Sequence, residues 1–588
     1  MYNITNIEII KNIKQRGVAM INFKDEIVKI LDGKIPELSE VEIRNAIETP
    51  PNYEMGDFAF PVFSLAKVYK KNPAIIAGEI AGSINSEYFE KVESKSAYIN
   101  FFINKKELAE TVLREVSEKN EDYGKLGIGK GENVVVEYSS PNIAKPFHIG
   151  HIRSTIIGDS LKRIYAFLGY NTIAINHLGD YGTQFGMLIV AIKKWGDKEV
   201  IKNDPIPELL KLYVKINAEA EADPALKDEC RHWFNELENG NEEAYKLWEW
   251  IREISLDEFN KVYNMLDVHY DSFNGESFYS DKMPGEVETL KNSGALKLSD
   301  GAQIVDLEKY NLPPSLIIKS DGSTIYITRD IAAAHYRHET YHPKRNIYVV
   351  GSQQILHFQQ LKAVLAEMGY DWSDEVVHVP FGMVSLEEGT LSTRKGRVVY
   401  LEDVLNKAKD KVLEILTERE KQRGEKIENK EELAAQVGIG AVKFQELFNQ
   451  RIKDYVFDWD KTLTFEGETG PYVQYVHARI CSLLEKGNFD KENKFNASLL
   501  TLDEELNLLR TIYKFTDVVI DAHEKYEPYF ITRYVVELAK LFNKYYNSTQ
   551  VIVEDEELKN ARLMLCYAVK TVIKEGLNLI GVAAPEKM

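Results

Sequence analysis

The apolar positions of this chain fall into three regimes, each predicting a different kind of structure. Near the start, Phe23 to Leu31 and Glu40 to Glu48 space their apolar residues as amphipathic helices do, and Ala97-Tyr98-Ile99-Asn100-Phe101-Phe102-Ile103 reads as a strand. Thr49-Pro50-Pro51-Asn52 is a turn cluster, and Gly56 to Pro61 leads into a helix around Leu65-Ala66-Lys67. Residues 1–125 are therefore expected to form a small α+β domain. From 126 to 400, short apolar runs alternate with helical stretches: Val134 to Tyr138, Thr172 to Ile175, Ser315 to Ile318, Asn346 to Val350 and Glu375 to Val379. That alternation predicts an α/β domain with a Rossmann-type, doubly wound parallel sheet containing all five runs.

Residues 196–300 interrupt this pattern with a highly charged helical stretch, read as an insertion between two halves of the nucleotide fold. Its Trp233, Trp248 and Trp250 suit helix packing better than base stacking. From Leu401 onward helices dominate, with a polar break at Glu418 to Lys430. Residues 401–469 are expected to be a helical connecting region and 470–588 an all-α bundle, and no solenoid-like period runs through the chain.

At 588 residues the chain is too long for one core, and 44% hydrophobic with 11% aromatic content is that of a folded protein. No apolar run is long enough to span a bilayer, and the N-terminus lacks the apolar segment of a secretion signal. Cys230, Cys481 and Cys566 are far apart and form no CxxC, which argues against a disulfide framework and against a structural metal. A cytoplasmic protein without a membrane partner is expected. The net charge of −19 argues against a generic nucleic-acid binder such as a DNA-coating protein, yet leaves room for a local basic groove. If the partner is RNA, repulsion outside the docking surface would reject other polyanions and make affinity salt-dependent; the same acidity also serves solubility alone.

The densest chemistry lies in Ser139 to Asp159, SSPNIAKPFHIGHIRSTIIGD, where His148-Ile149-Gly150-His151 turns from a strand into the helix that Gly169 closes. A helix N-terminus offers free N–H groups and a positive dipole end to a triphosphate. Gly150 removes a side chain that would hold a nucleotide base off the backbone. The two imidazoles can donate to phosphate oxygens as charge builds there. His148, Gly150, His151 and nearby Lys145 are thus candidate catalytic residues for ATP chemistry. A second polar, glycine-rich loop, Asn176 to Gly186, and Gln353 to Phe358 follow other predicted strands, where α/β sheets bind ligands.

The HIGH-type tetrapeptide resembles that of class I aminoacyl-tRNA synthetases, and Ser-Ser-Pro-Asn-Ile-Ala-Lys-Pro before it is similar to the arginyl version. The resemblance runs from about Met20, where Met20-Ile21-Asn22-Phe23 is similar to a family start, to the Ala584-Pro585-Glu586-Lys587-Met588 end. Residues 1–19 would then be an extension with no assigned role. The resemblance implies activation of L-arginine with ATP and Mg2+, then transfer of the arginyl group to tRNA(Arg), with tRNA needed for activation; a monomer is expected because no apolar interface stripe stands out. It implies that Glu276 and Asp330 hold the guanidinium with Tyr326 against it, that Ser140, Asn142 and Gln354 address the amino-acid end, and that Glu137 borders the pocket. A guanidinium, five donors and no acceptor, demands such carboxylates. Asp330 before Ile331-Ala332-Ala333-Ala334 also reads as a helix N-cap, and Glu276 as an ordinary loop acid.

The family's KMSKS loop has a lysine where Gly389-Thr390-Leu391-Ser392-Thr393-Arg394-Lys395-Gly396 carries threonine. Arginyl enzymes lacking it are similar in having a lysine at the position of Lys145, which the resemblance makes the replacement cation. Ser392, Arg394 and Lys395 remain candidates for ATP contacts. The N-terminal domain would dock on the corner of tRNA through Tyr98 and Asn100, although Tyr98 equally suits an edge strand. Gly467 to Arg479 is similar to the opening of the anticodon-binding domain, where Tyr472, Gln474 and Tyr475 are candidates to contact unpaired bases; Tyr472 and Tyr475, three apart, equally suit a helix core. Two other classes stay open: a small-molecule nucleotidyltransferase, which has no use for the flanking domains, and a non-catalytic RNA-binding relative, which has no use for His148, His151 and Lys145. A lysine-specific enzyme is not excluded by charge alone.

Overall fold

The structure is a computed structural model, and it describes residues 21–320, 326–386, 399–424 and 426–588. The extension 1–19 and the candidates Ser392, Arg394 and Lys395 lie outside the described residues.

Four parallel strands form the central sheet, in the order Val376–Phe381, Arg345–Gly351, Asn133–Glu137, Asn171–Ile175. Val135 is level with Asn346 on one side and with Ile173 on the other. Val134, Val135 and Val136 are fully buried, as a parallel strand covered on both faces requires. The chain leaves Asn133–Glu137 toward one edge and returns on its other side through Arg345–Gly351. The loops after these two strands therefore flank a topological switch point, where open α/β sheets hold ligands. The first loop carries His148 to His151, and the second carries Gln354.

Ser315–Ile318, expected in this sheet, pairs instead in a separate three-stranded antiparallel sheet with Leu296–Ser299 and Ala302–Val305. Asp300 and Gly301 join the latter two with φ of 47° and 79°, the positive pair that a tight two-residue hairpin needs. The helices of the insertion accordingly end at Asn292, and its last stretch is a hairpin. A four-residue apolar run does not reveal whether its neighbours are parallel, which is why the pattern misplaced this strand.

The N-terminal domain packs helices on an antiparallel sheet whose central strand is Tyr98–Ile103, so Tyr98 is not on an edge strand. The C-terminal part is helical, apart from Tyr455–Phe457, which pairs in parallel with Val384–Leu386. Among the described residues no helix is long and apolar enough to cross a membrane.

Polar contacts join these parts. Asp57 of the N-terminal domain meets Arg510 at 2.7 Å and accepts from the Ile103 amide at 2.8 Å. Lys443 is buried and donates at 2.6 Å to the Leu266 carbonyl, and burial lowers its ammonium to about 8. Arg153, one residue into the Ile152–Phe167 helix, meets Glu446 of the Lys430–Leu447 helix at 2.6 Å. The Arg153 guanidinium also donates to the Lys453 carbonyl at 2.7 Å, and Tyr455 donates to Glu446 at 2.7 Å.

The Arg153 and Glu446 side chains are 1% and 0% exposed, so removing either partner strands a charge away from water. The variant Glu446→Ala is expected to lose about 3–5 kcal/mol of stability. Urea unfolding monitored by fluorescence checks this; a loss below about 1 kcal/mol, the range of a surface pair, would mean that the bridge does not hold the junction.

Candidate active site

The loop after Asn133–Glu137 is wound tightly: Ser139, Ser140 and Ala144 have φ of 73°, 48° and 57°, a left-handed region that side chains disfavour. Such backbone persists only where neighbours over-determine it. The Ser139 amide donates to Ser154 Oγ and Thr155 donates to Ser139 Oγ, each at 2.9 Å. Ser139 Oγ also lies 2.9 Å from the Tyr263 hydroxyl, and the Ala144 amide donates to Ser255 Oγ at 3.0 Å. Tyr263 and Ser255 belong to the Glu242–Leu266 helix, so the insertion buttresses the ATP loop from outside the sheet.

His148 Nδ1 accepts from the Gly150 amide at 3.0 Å, which puts its proton on Nε2. A side chain at position 150 would meet His148 Cε1 at 2.8 Å, so glycine is needed first for the imidazole to fold over its own turn. His151 Nδ1 lies 3.1 Å from the His148 amide nitrogen and 3.2 Å from its carbonyl, and the two rings are 4.1 Å apart. Burial holds both imidazoles below their ordinary value, His151 at about 3. His151 is therefore a neutral imidazole near pH 7. Lys145 is half-buried without a hydrogen bond or ion pair among the described residues, and burial lowers its ammonium while Glu276 opposes the shift.

Both stems of the second ATP loop reach this turn or its support. The Ile149 amide donates to the Val399 carbonyl at 3.2 Å, and the Leu401 amide to Phe147 at 3.0 Å. On the other side, Val384–Leu386 is paired to Tyr455–Phe457 beside the Arg153 bridge.

The predicted carboxylates have partners. Glu137 is buried 2.6 Å from Arg337, itself fully buried, so it anchors that arginine and is not offered to a substrate. Asp330 lies in the second turn of the Tyr326–Tyr341 helix and is no N-cap; its carboxylate accepts from His357 Nε2 at 2.6 Å. Glu276 meets Arg329 at 2.8 Å, and burial pushes its carboxyl up to about 7 against the opposing pull of Arg329. Asp330, Asp180 and Lys145 also act on the charge of Glu276, so these groups share one field.

Tyr326 is 73% exposed at the start of its helix, and Gln354 is exposed at the cap of Ile355–Glu367. Asn142 is exposed and bridges to Gly179, whereas Ser140 Oγ is buried with no partner among the described residues. Asp180 is fully buried and was not singled out from sequence. It accepts from the Ser277 amide at 2.8 Å, Ser277 Oγ at 2.9 Å and Arg252 at 3.3 Å, which fixes the segment bearing Glu276. The polar loop Asn176 to Gly186 was its only signal.

The candidate RNA contacts divide. Tyr98 is half-buried, edge-on to Phe63, which is 56% exposed, but Asn100 is 2% exposed and does not present its amide. Gln474 is fully buried and donates to the Gln436 and Ala583 carbonyls at 3.2 and 2.9 Å; it fastens helices and the C-terminal tail and reads no base. The His477 ring at 3.0 Å from the Pro585 carbonyl secures the same tail. Tyr472 and Tyr475 are half-buried. The Tyr472 hydroxyl accepts from Asn543 at 2.9 Å, and the Arg479 guanidinium lies 4.8 Å from the Tyr475 ring and 5.2 Å from Tyr546. Asn543 and Tyr546 come from the Tyr529–Ser548 helix, too distant in sequence for spacing to reveal.

Three family models match the chain: "tRNA synthetases class I (R), catalytic domain" over residues 65–459, "DALR anticodon binding domain" over 473–588, and "Arginyl tRNA synthetase N terminal domain" over 21–103. The chain is 58% identical over 570 residues to the arginine-tRNA ligase of Halothermothrix orenii, covering 97% of this chain and 100% of that protein. Against the arginine-tRNA ligase of Clostridioides difficile the identity is 55%, with the same coverage. The arginyl-tRNA synthetase structure from Plasmodium falciparum superposes with a TM-score of 0.82 at 28% identity, covering 97% of this chain and 100% of that one. The chain belongs to the arginyl-tRNA synthetases of class I.

Proposed function

We infer that the protein joins L-arginine to tRNA(Arg) in two steps, with ATP as the activating substrate. The observation that carries this is the meeting of two imidazoles, an ammonium with no hydrogen bond or ion pair among the described residues and the Glu276–Asp330 carboxylates at the switch point of the sheet. In the first step the arginine carboxylate attacks the α-phosphorus of ATP, and pyrophosphate departs. His148 Nε2–H and His151 donate to phosphate oxygens, and Lys145 neutralises charge on the leaving side. Mg2+ enters with ATP, held chiefly by the substrate phosphates. In the second step a terminal ribose hydroxyl of tRNA attacks the adenylate carbonyl and AMP departs. No enzyme nucleophile is needed; the protein positions and neutralises.

Glu276 and Asp330 take the guanidinium with Tyr326 closing on it, while Ser140, Asn142 and Gln354 take the amino and carboxylate end. The buried, unpartnered Ser140 hydroxyl supports this part of the assignment. Glu137 supports the pocket through Arg337. Ser392, Arg394 and Lys395 reach ATP from the second loop. Tyr98 meets the tRNA corner, and Tyr472 and Tyr475, joined by Arg479, Asn543 and Tyr546, form the face toward the anticodon. The working state is a monomer in the cytoplasm, and activation waits for tRNA.

Exchange of labelled pyrophosphate into ATP tests the reaction. It is expected with arginine and tRNA together and not with lysine; exchange without tRNA removes the coupling, and none under any condition removes the ligase. The variant Lys145→Ala should lower the activation rate about 100-fold, the scale of one lost charge-stabilising donor, with arginine affinity kept. An unchanged rate in single-turnover measurements refutes the role. The third test is pH. A carboxyl at about 7 is a good guanidinium acceptor above that pH and is lost to protonation below it. KM for arginine should therefore rise as pH falls through 7, approaching about tenfold per unit. His151, held at about 3, is neutral across this range and adds no such limb; a flat KM from pH 8 to 6 counts against Glu276 as the acceptor.

A further inference from the structure

The carboxylate assigned to the substrate guanidinium already has a guanidinium on it. Arg329 Nη1 lies 2.8 Å from Glu276 Oε2, and the Arg329 side chain is 12% exposed. Its carbon centre sits 4.7 Å from the Tyr181 ring and 5.9 Å from the Tyr326 ring, so a carboxylate and aromatic faces surround it as they would surround bound arginine. The fit is incomplete. Glu276 takes a single hydrogen bond, from Nη1, and Arg329 Nε is buried with no hydrogen-bond partner among the described residues. A guanidinium engages a carboxylate best through two parallel N–H bonds, and a single contact with an idle buried donor is a weaker arrangement.

Tyr181 also walls a cavity of about 720 Å3 whose lining includes the acids Glu238, Glu249 and Asp281 and one cation, Arg252, which is held by Asp180. Tyr181 bonds to Glu238 through its hydroxyl. Beside the present seat of Arg329 there is thus an open, acidic chamber able to receive a cation that leaves it.

We propose that Arg329 is a specificity-determining residue: a resident guanidinium that holds Glu276 charged and oriented in the empty pocket and is displaced into the acidic chamber by the guanidinium of arginine. This rests on the assignment of Glu276 to the substrate. Without a cation the desolvated Glu276 would tend to protonate and lose its acceptors; Lys145 is the other positive group acting on it, against Asp330 and Asp180. Exchanging one guanidinium for another conserves charge and replaces an imperfect contact by a better one. A lysine side chain brings a compact ammonium with no planar fork, so it has less to offset the displacement. Occupation by Arg329 thereby discriminates by raising the cost for the wrong amino acid, at some loss of affinity for the right one.

The test is direct binding of arginine and of lysine to the full chain by calorimetry at pH 8.5, above the value of about 7 that Glu276 has beside Arg329. With the competitor gone, Arg329→Ala is expected to bind arginine about threefold to tenfold more tightly than the wild type, with a smaller preference over lysine. Arg329→Lys, which keeps the charge without the fork, should lie between the two and carries the test if the alanine variant does not fold. Weaker arginine binding, or an unchanged affinity and preference, in both variants overturns the proposal and makes Arg329 a fixed wall of the pocket. Glu276→Gln separates this from the underlying assignment: it should abolish arginine binding, and if it binds as the wild type does, the pocket itself was misassigned.

Discussion

The ion pair between Arg153 and Glu446 lies where three structural units must keep a common frame, and no water reaches it. Burying two charges is unfavourable by itself, and an apolar pair of equal volume can match the stability of such a bridge. What the bridge supplies is direction. Arg153 follows the His148–His151 turn by two residues, Glu446 belongs to the helix on which the C-terminal bundle packs, and Tyr455, bonded to Glu446, lies on the short strand paired to Val384–Leu386. The ATP turn, one stem of the second ATP loop and the foundation of the bundle are thereby indexed to one carboxylate. Lys443, a turn earlier on the Lys430–Leu447 helix, adds a second fixed point by capping the end of the Glu242–Leu266 helix at Leu266.

That frame permits an active site built from groups that are uncomfortable in isolation. Three non-glycine residues of the loop hold left-handed backbone, a lysine sits half-buried without a partner among the described residues, and Glu276 is desolvated enough to titrate near neutrality. Each is costly for the empty enzyme, and on the proposed assignment each cost would fall when a substrate group arrives: phosphate for the ammonium, guanidinium for the carboxylate. Lys145 and Glu276 also oppose each other's shifts, so the ATP side and the arginine side of the site are electrostatically aware of one another before any ligand binds.

The sequence disclosed this site unevenly, for physical reasons. His148 to His151 were legible because a strand, a turn and a helix start leave a local record, and the sheet followed from runs such as Val134 to Val136. Partner choice is not local. Nothing near Glu137 announces Arg337, nothing near Glu276 announces Arg329, and Gln474 looks like an RNA-facing amide until the tail carbonyl of Ala583 arrives from more than a hundred residues away. Gly150 was read as making room for a nucleotide base, whereas the first neighbour that a side chain there would meet is the ring of His148. Ser315–Ile318 went to the wrong sheet because four apolar residues do not encode the direction of a neighbour.

The proposed exchange of partners at Glu276 would have a counterpart in an acidic protein that docks on RNA. On the outer face of the C-terminal bundle, Arg533 and Lys540 both rest on Glu468, at 3.0 and 2.6 Å, and Lys544 lies 3.6 Å from Glu504. All are substantially exposed or half-buried, so these pairs are weak and easily opened. A phosphate that replaces Glu468 gives each cation an equivalent partner and frees the carboxylate to water, whereas a polyanion of the wrong shape meets carboxylates that have not been displaced. With a net charge of −19, long-range attraction cannot select the RNA. Selection must then occur at contact, by cations that change partner only when the geometry is right, and the strength of that contact must fall with salt because both the old and new partners are charges near solvent.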